Sequence, residues 1–230
     1  MSSVTGFLAT TLARLDPPPV AVDTSLSPAV LVHGLDGTGA DMARVGRALR
    51  AKGREVLAID LVPSDGRPPL EELSAQLNSF IDSNVPPERR PLDLIAHSMG
   101  GLVCRHYVQA RGGAEHTRSL ITLATPHRGT WLARMRRGEG VRQMRPGSDF
   151  LSELNSPEGH AELANISFTS LWTPTDLIIL PPSSSVMPNA NNAWLWSVGH
   201  FSPVLGPRFI RRILRALEEP PNHSSSTDST

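Results

Sequence analysis

Six short apolar runs separated by amphipathic stretches restrict this chain to very few architectures. The runs are "AVLVHG" (29–34), "REVLAIDL" (54–61), "LDLIAHS" (92–98), "SLITLATP" (119–126), "ISFTSLW" (166–172) and "AWLWSVGH" (193–200). Runs of this length, rich in Val, Ile and Leu, read as strands covered on both faces. Between or after them lie stretches with helical periodicity, at 41–53, 69–83, 101–113 and 207–219. In the last, Phe209, Ile213 and Leu217 share one face, with Arg211, Arg212 and Arg215 largely elsewhere. This alternation predicts an α/β fold, a mainly parallel six-stranded sheet with helices on both faces. Such sheets carry their functional groups in the loops at the strand C-termini. The polar residues of interest are therefore those at strand ends.

The 230 residues suit one domain with a sizeable core, expected over 28–219. Residues 1–27 read as an N-terminal extension whose short amphipathic helix ends at Pro17, Pro18 and Pro19. Residues 220–230 read as a low-complexity, disordered tail. Residues 128–160, after the fourth strand, break the alternation; there Trp131, Leu132, Met135, Met144, Phe150 and Leu151 are interspersed with arginines. Two readings of this excursion stand side by side: a lid over the strand-end face, or an elaborate crossover that never moves.

Composition narrows the function classes. Basic and acidic residues number 22 each, which gives no electrostatic case for nucleic acid or an anionic membrane as the main partner. The single cysteine, Cys104, precludes an intrachain disulfide and falls within a helix, where a buried thiol is expected. No Cys/His cluster has metal-ligand spacing, and the glycine-rich "VHGLDGTGADM" (32–42) fits neither nucleotide fingerprint, so neither metal nor cofactor is expected. No apolar run reaches the roughly 18–20 residues of a transmembrane segment. The start "MSSVTGFLATTLARLDPPPV" lacks a basic leader, and Arg14 and threonines break its apolar stretch, which argues against a cleaved signal peptide. The expected location is the cytoplasm, or outside the cell without a recognisable signal.

"DLIAHSMGGLVCRHY" places Ser98 where a buried strand turns sharply into a helix. A serine hydroxyl is a poor nucleophile unless a base takes its proton, a third group orients the base and donors await the oxyanion. Small residues two before and two after the serine, Ala96 and Gly100, permit the strained turn that projects such a hydroxyl, a variant of the G-x-S-x-G elbow. Partners in this arrangement follow in chain order, acid and then histidine. The histidines after Ser98 are His106, His116, His127, His160, His200 and His223. His106 lies on the serine's own helix, His116 in the turn after it, and His223 in the tail. His200 follows the last strand and is the expected base; His127, which also ends a strand, is its main rival. Of the two intervening aspartates, Asp149 lies inside the excursion and Asp176 follows a strand, so Asp176 is the expected orienting acid. Glu153, Glu158 and Glu162 lie in the excursion or precede that strand. Backbone amides of Met99, after the nucleophile, and of Leu35, in the first strand–helix loop, are the expected oxyanion donors.

With these residues in place the chain resembles the α/β-hydrolase fold, and within it the bacterial lipases and esterases. "VLVHGLDGTG", "DLIAHSMGGLVCRHY" and "ITLATPHRGT" carry the likeness, with "TPTDLII" and "VGHFSPV" in support. The Ala-x-Ser-x-Gly form is similar to that of small bacterial triacylglycerol lipases with a reduced six-stranded sheet. The resemblance implies a bacterial serine hydrolase of carboxylic esters, acylglycerols or other lipid esters above all. It matches Ser98, Asp176 and His200 to the catalytic triad, and Leu35 and Met99 to the oxyanion hole. The implied partner is a lipid or small ester, with room for transient contact at a lipid–water interface. An acyltransferase or thioesterase would use the same triad, and a hydrolase-like binding protein would retain the fold without turnover.

Overall fold

In the computed structural model, which describes residues 20–197 and 199–218, each apolar run contributes a strand. These are β1 (Ala29–Val32), β2 (Val56–Ile59), β3 (Leu92–His97), β4 (Thr117–Leu123), β5 (Ser167–Trp172) and β6 (Asn191–Trp194). They pair in the order β2-β1-β3-β4-β5-β6, every pair parallel. The chain thus winds outward to β2, returns past β1 and continues the other way. That reversal opens a crevice between the C-terminal ends of β1 and β3.

Period-two alternation along the strands divides the core between two faces. Val30, Val32, Leu94, Ala96, Leu120 and Phe168 pack on one side against α2 (Leu70–Asn84) and α3 (Met99–Ala110). Ala29, Leu31, Ile95, Ile121, Leu123 and Leu171 pack on the other, against α1 (Ala43–Arg50) and the C-terminal helix Pro207–Glu218. In that last helix Phe209, Ile213 and Leu217 are buried, the face its periodicity predicted. From Met99 to Val108, α3 is buried all round, as a helix central to one layer must be. At the opposite edge of the sheet Asp93, fully buried, accepts hydrogen bonds from Arg54 and Arg118, both at 2.6 Å, and from the Ser119 hydroxyl at 2.7 Å. These contacts join the N-terminal ends of β3 and β4 to the segment leading into β2, away from the crevice.

The excursion between β4 and β5 holds a 3₁₀ turn (Trp131–Arg134), then α4 (Glu139–Gln143), α5 (Asp149–Leu154) and α6 (Pro157–Glu162). Its inner residues Val141, Met144, Phe150, Leu151 and Leu154 belong to the main core. Buried Arg105 of α3 donates to the Leu154 carbonyl at 2.6 Å and to the Asn155 side chain at 3.1 Å. Trp131 and Met135, by contrast, are exposed. The distal half is thus a packed crossover, while 131–137 lies on the surface above the strand ends. One expected strand end shifts. The sixth strand stops at Trp194 instead of reaching 200, because Leu195 makes the last pairing with Trp172 and the Thr173 and Thr175 hydroxyls then take the Ser197 carbonyl. A short helix α7 (Ser202–Leu205) precedes α8, the helix Pro207–Glu218. The expected N-terminal helix within 1–19 and the tail from 219 onward lie outside the described residues; residues 20–27 carry no helix or strand.

Candidate active site

In the sheet register Val32 pairs with Ala96, so the loops leaving β1 and β3 start side by side at the crevice. Ser98 stands there with φ 53° and ψ −123°, in the region L-residues avoid. A backbone of this kind costs about 1–3 kcal/mol and persists only where its surroundings hold it. Here the Ser98 amide donates to the Leu123 carbonyl at 2.8 Å, and its own carbonyl accepts from the Thr125 hydroxyl at 3.0 Å and the Gly101 amide at 3.0 Å. The two glycines after Met99 let α3 come this close. A Cβ on Gly100 would stand 2.3 Å from the His33 carbonyl oxygen, and one on Gly101 2.1 Å from Thr125 Oγ1.

Asp176 and His200 reach the same point from the ends of β5 and β6. His200 Nε2 lies 2.8 Å from Ser98 Oγ, and His200 Nδ1 lies 2.8 Å from Asp176 Oδ2. The other carboxylate oxygen accepts from the amides of Ile178 at 2.8 Å and Ile179 at 2.9 Å, which fixes the Asp176 rotamer. Burial works against the Asp176 charge. The His200 hydrogen bond, the His200 charge and the two amides outweigh it and hold the carboxyl below its ordinary range. A hydroxyl, imidazole and ionised carboxylate in this order can pass the hydroxyl proton to the ring while the carboxylate steadies the cation that forms.

The histidine rival separates cleanly. His127 is fully buried, with Nε2 3.0 Å from Thr122 Oγ1 and its ring edge-on to Phe168. Burial, with help from the Arg105 and Arg128 charges, keeps it neutral far below its ordinary range. His106 stacks on Phe150, and Asp149 lies in the first turn of α5, which Ser148 caps. Cys104 is buried and its thiol pushed up by burial, the inert core thiol expected.

Leu35 and Met99 both bring an amide to the crevice, and neither amide donates to a protein acceptor among the described residues. Met99 opens α3, so its N–H is one of the helix's free donors, backed by the positive end of the dipole. The loop carrying Leu35 is shaped by His33: Nδ1 donates to the Gly34 carbonyl at 2.8 Å and Nε2 accepts from the Leu61 amide at 2.9 Å. Above Ser98 opens a cavity of about 300 Å³, walled chiefly by apolar groups such as Leu35, Leu132, Ala133, Met144, Ile179 and Phe201. Arg136 of the excursion ion-pairs at its edge with Asp36 of the loop that carries Leu35. Among the described residues no cluster of His, Cys, Asp or Glu could hold a metal ion, and no helix is long and apolar enough to cross a membrane.

Sequence reasoning passed over His97. Its Nε2 donates to the His200 carbonyl at 3.0 Å, and its ring centroid lies 4.8 Å from that of His200 and 5.5 Å from that of Phe201. Burial, then the His200 charge, pushes its pKa down to about 3, so the ring is neutral. The available signal was a histidine closing an otherwise apolar buried strand, where its N–H must find an acceptor.

These elements define an α/β-hydrolase fold with a serine, histidine and aspartate joined at its strand ends. Comparisons with known proteins agree on that fold. The mature lipase BlEst2 of Bacillus licheniformis superposes with a TM-score of 0.68 at 18% identity, over 88% of this chain and 96% of that one. Lipase B of Aspergillus fumigatus gives 0.72 at 15% identity, over 89% of this chain and 56% of that one. A family model described as palmitoyl protein thioesterase matches residues 28–137. Triacylglycerol lipase 2 of Saccharomyces cerevisiae is 36% identical over 95 residues, which is 39% of this chain and 28% of the yeast protein. The matched stretch thus spans less than a third of that relative.

Proposed function

We propose that the protein is a serine hydrolase of carboxylic esters, acting on acylglycerols or other lipid esters. The observation that carries this is the pair of 2.8 Å hydrogen bonds linking Ser98, His200 and Asp176 at the floor of an apolar cavity. Ser98 Oγ attacks the acyl carbonyl carbon while His200 Nε2 takes its proton, and the oxyanion is received by the Leu35 and Met99 amides. His200 then gives that proton to the departing alcohol oxygen, leaving an acyl-serine. Water, deprotonated by His200, attacks the acyl group; the acid departs and the proton returns to Ser98. The likenesses to bacterial and fungal lipases and to a triacylglycerol lipase support this reading.

The cavity gauges the acyl group. At about 300 Å³ it lies at the lower end of the roughly 300–1,000 Å³ usual for small-molecule pockets, and its walls are mainly apolar. Exposed Met135, Ile178 and Phe201 rim its mouth, with Trp131 and Leu177 exposed close by in sequence. Such an apolar collar suits a substrate at a lipid–water interface. The collar and the exposed 131–137 segment together make that segment the part of the excursion that would act as a lid. Hydrolysis of p-nitrophenyl esters from acetate to palmitate tests the reading. Activity should rise with chain length beyond the butyrate. Activity confined to acetate and butyrate would refute the lipid-ester assignment.

The family model named for a palmitoyl protein thioesterase favours one second reading, a thioester as substrate. The same attack would expel a thiol in place of an alcohol. Paired oxygen and thio esters of one acyl chain separate the two: a kcat/KM at least tenfold higher for the thioester would favour it.

A further inference from the structure

His200 stands in a segment with few anchors of its own among the described residues. Upstream, the Thr173 and Thr175 hydroxyls hold the Ser197 carbonyl. Downstream, Ser202 bonds back to Gly199, which sits at φ +85°, and α7 begins. Between these tethers the His200 side chain bonds Ser98 and Asp176, the contacts it must trade during turnover. Among the described residues its main chain is held by one group from the sheet, the Nε2–H of His97, at 3.0 Å.

We propose that His97 is a positioning residue, whose imidazole N–H grips the His200 carbonyl and fixes the base on Ser98. The chemistry of the pair supports this. A carbonyl can only accept, so the bond sets His97 as the Nε2–H tautomer. The ring is 3% exposed and packs with the His200 and Phe201 rings into a three-ring cluster, which restricts its rotation. The charged groups that bear on it are His200 and Asp176 beside it and Asp41 from the turn before α1. Burial outweighs both carboxylates and keeps the ring uncharged. A neutral donor supplies the grip without setting a second cation beside the imidazolium that His200 becomes. An ordinary core histidine could have met its N–H need with any carbonyl; this one uses that of the residue whose side chain is the base.

This inference rests on His200 serving as the base, and its test is built to fail separately from that reading. His97→Phe keeps a ring of similar size without the donor, while His97→Gln places an amide N–H near the same position. A displacement of about 1 Å can cost on the order of 10²-fold in rate. For His97→Phe we expect kcat to fall 10- to 100-fold with KM within about twofold of wild type, and for His97→Gln to recover at least half of the lost logarithm. The low-field Nδ1 proton of His200 in the NMR spectrum should weaken in the first variant and return in the second. Thermal unfolding and far-UV spectra establish that both variants are folded, and Ser98→Ala run alongside establishes that turnover passes through the serine. A folded His97→Phe with wild-type kcat would overturn the proposal, as would a folded His97→Gln as slow as His97→Phe. An active Ser98→Ala would instead overturn the triad.

Discussion

Acidification should destabilise this protein well before its carboxylates titrate. His97 and His127 are 3% and 0% exposed, and burial holds both as neutral rings, the first down to about 3 and the second well below its ordinary 6.5. Unfolding releases each into water with a pKa near 6.5. Below that pH the unfolded chain binds a proton that the folded one refuses, so stability falls as pH falls through this window. Each ring contributes about 1.36 kcal/mol per pH unit once protonated in the unfolded state. From pH 7.5 to 5.0 that is about 2 kcal/mol per ring, and about 4 kcal/mol for the two. A loss of that size is a large share of the 5–15 kcal/mol a domain usually has. Urea unfolding followed by tryptophan fluorescence at pH 7.5, 6.5, 5.5 and 5.0 gives the slope directly. His127→Gln keeps a polar side chain opposite Thr122 and cannot titrate, so its slope should be shallower than that of wild type by one ring's share. A wild-type stability flat between pH 7.5 and 5.0 would refute the reasoning. An unchanged slope in His127→Gln would refute the part assigned to that ring.

Three further outcomes follow from individual contacts. Asp176→Asn leaves the loop geometry but removes the charge that steadies His200, and kcat should drop by about 10⁴, measured on a soluble ester; a loss under tenfold would contradict its role. Gly101→Ala sets a Cβ 2.1 Å from Thr125 Oγ1 against the elbow, whereas Gly112→Ala meets nothing within 4 Å and bears only its φ of +71°. The first should cost upward of about 3 kcal/mol and the second about 1 kcal/mol in chemical denaturation, and equal costs would count against the close-approach account. Arg136→Gln breaks an ion pair whose side chains are 45% and 54% exposed, so it should change stability by under about 1 kcal/mol; a loss above 2 kcal/mol would make the pair a strut of the fold.

How far the sequence was legible depends on the range of the forces involved. Buried strands declare themselves locally, since Leu94–Ala96 and Leu120–Ile121 are apolar on both faces, and a polar Ser98 at the end of such a run stands out. Asp176 and His200 meet Ser98 because strand ends in a parallel sheet all lie at one edge, so order along the chain becomes nearness in space. The sixth strand was overextended because "AWLWSVGH" is apolar enough for a strand, while the hydroxyls that end it belong to Thr173 and Thr175. His97 was missed for a similar reason. Its partner is a main-chain carbonyl 103 residues away, and no pattern in composition records a bond to a main chain. The excursion read as one piece, yet Arg105 and Phe150 bind its distal half into the core and leave Trp131 and residues 134–137 exposed. That division follows from packing against α3, which periodicity within the segment does not encode.

The central claim is that Ser98 becomes acylated. Its most direct measurement is a rapid acid quench during turnover of a p-nitrophenyl ester, followed by intact-mass and peptide analysis. The account predicts one added acyl group, on the peptide containing Ser98, with a burst of p-nitrophenol of matching size, and neither in Ser98→Ala. An acyl group on another residue, or full turnover by Ser98→Ala, would contradict it.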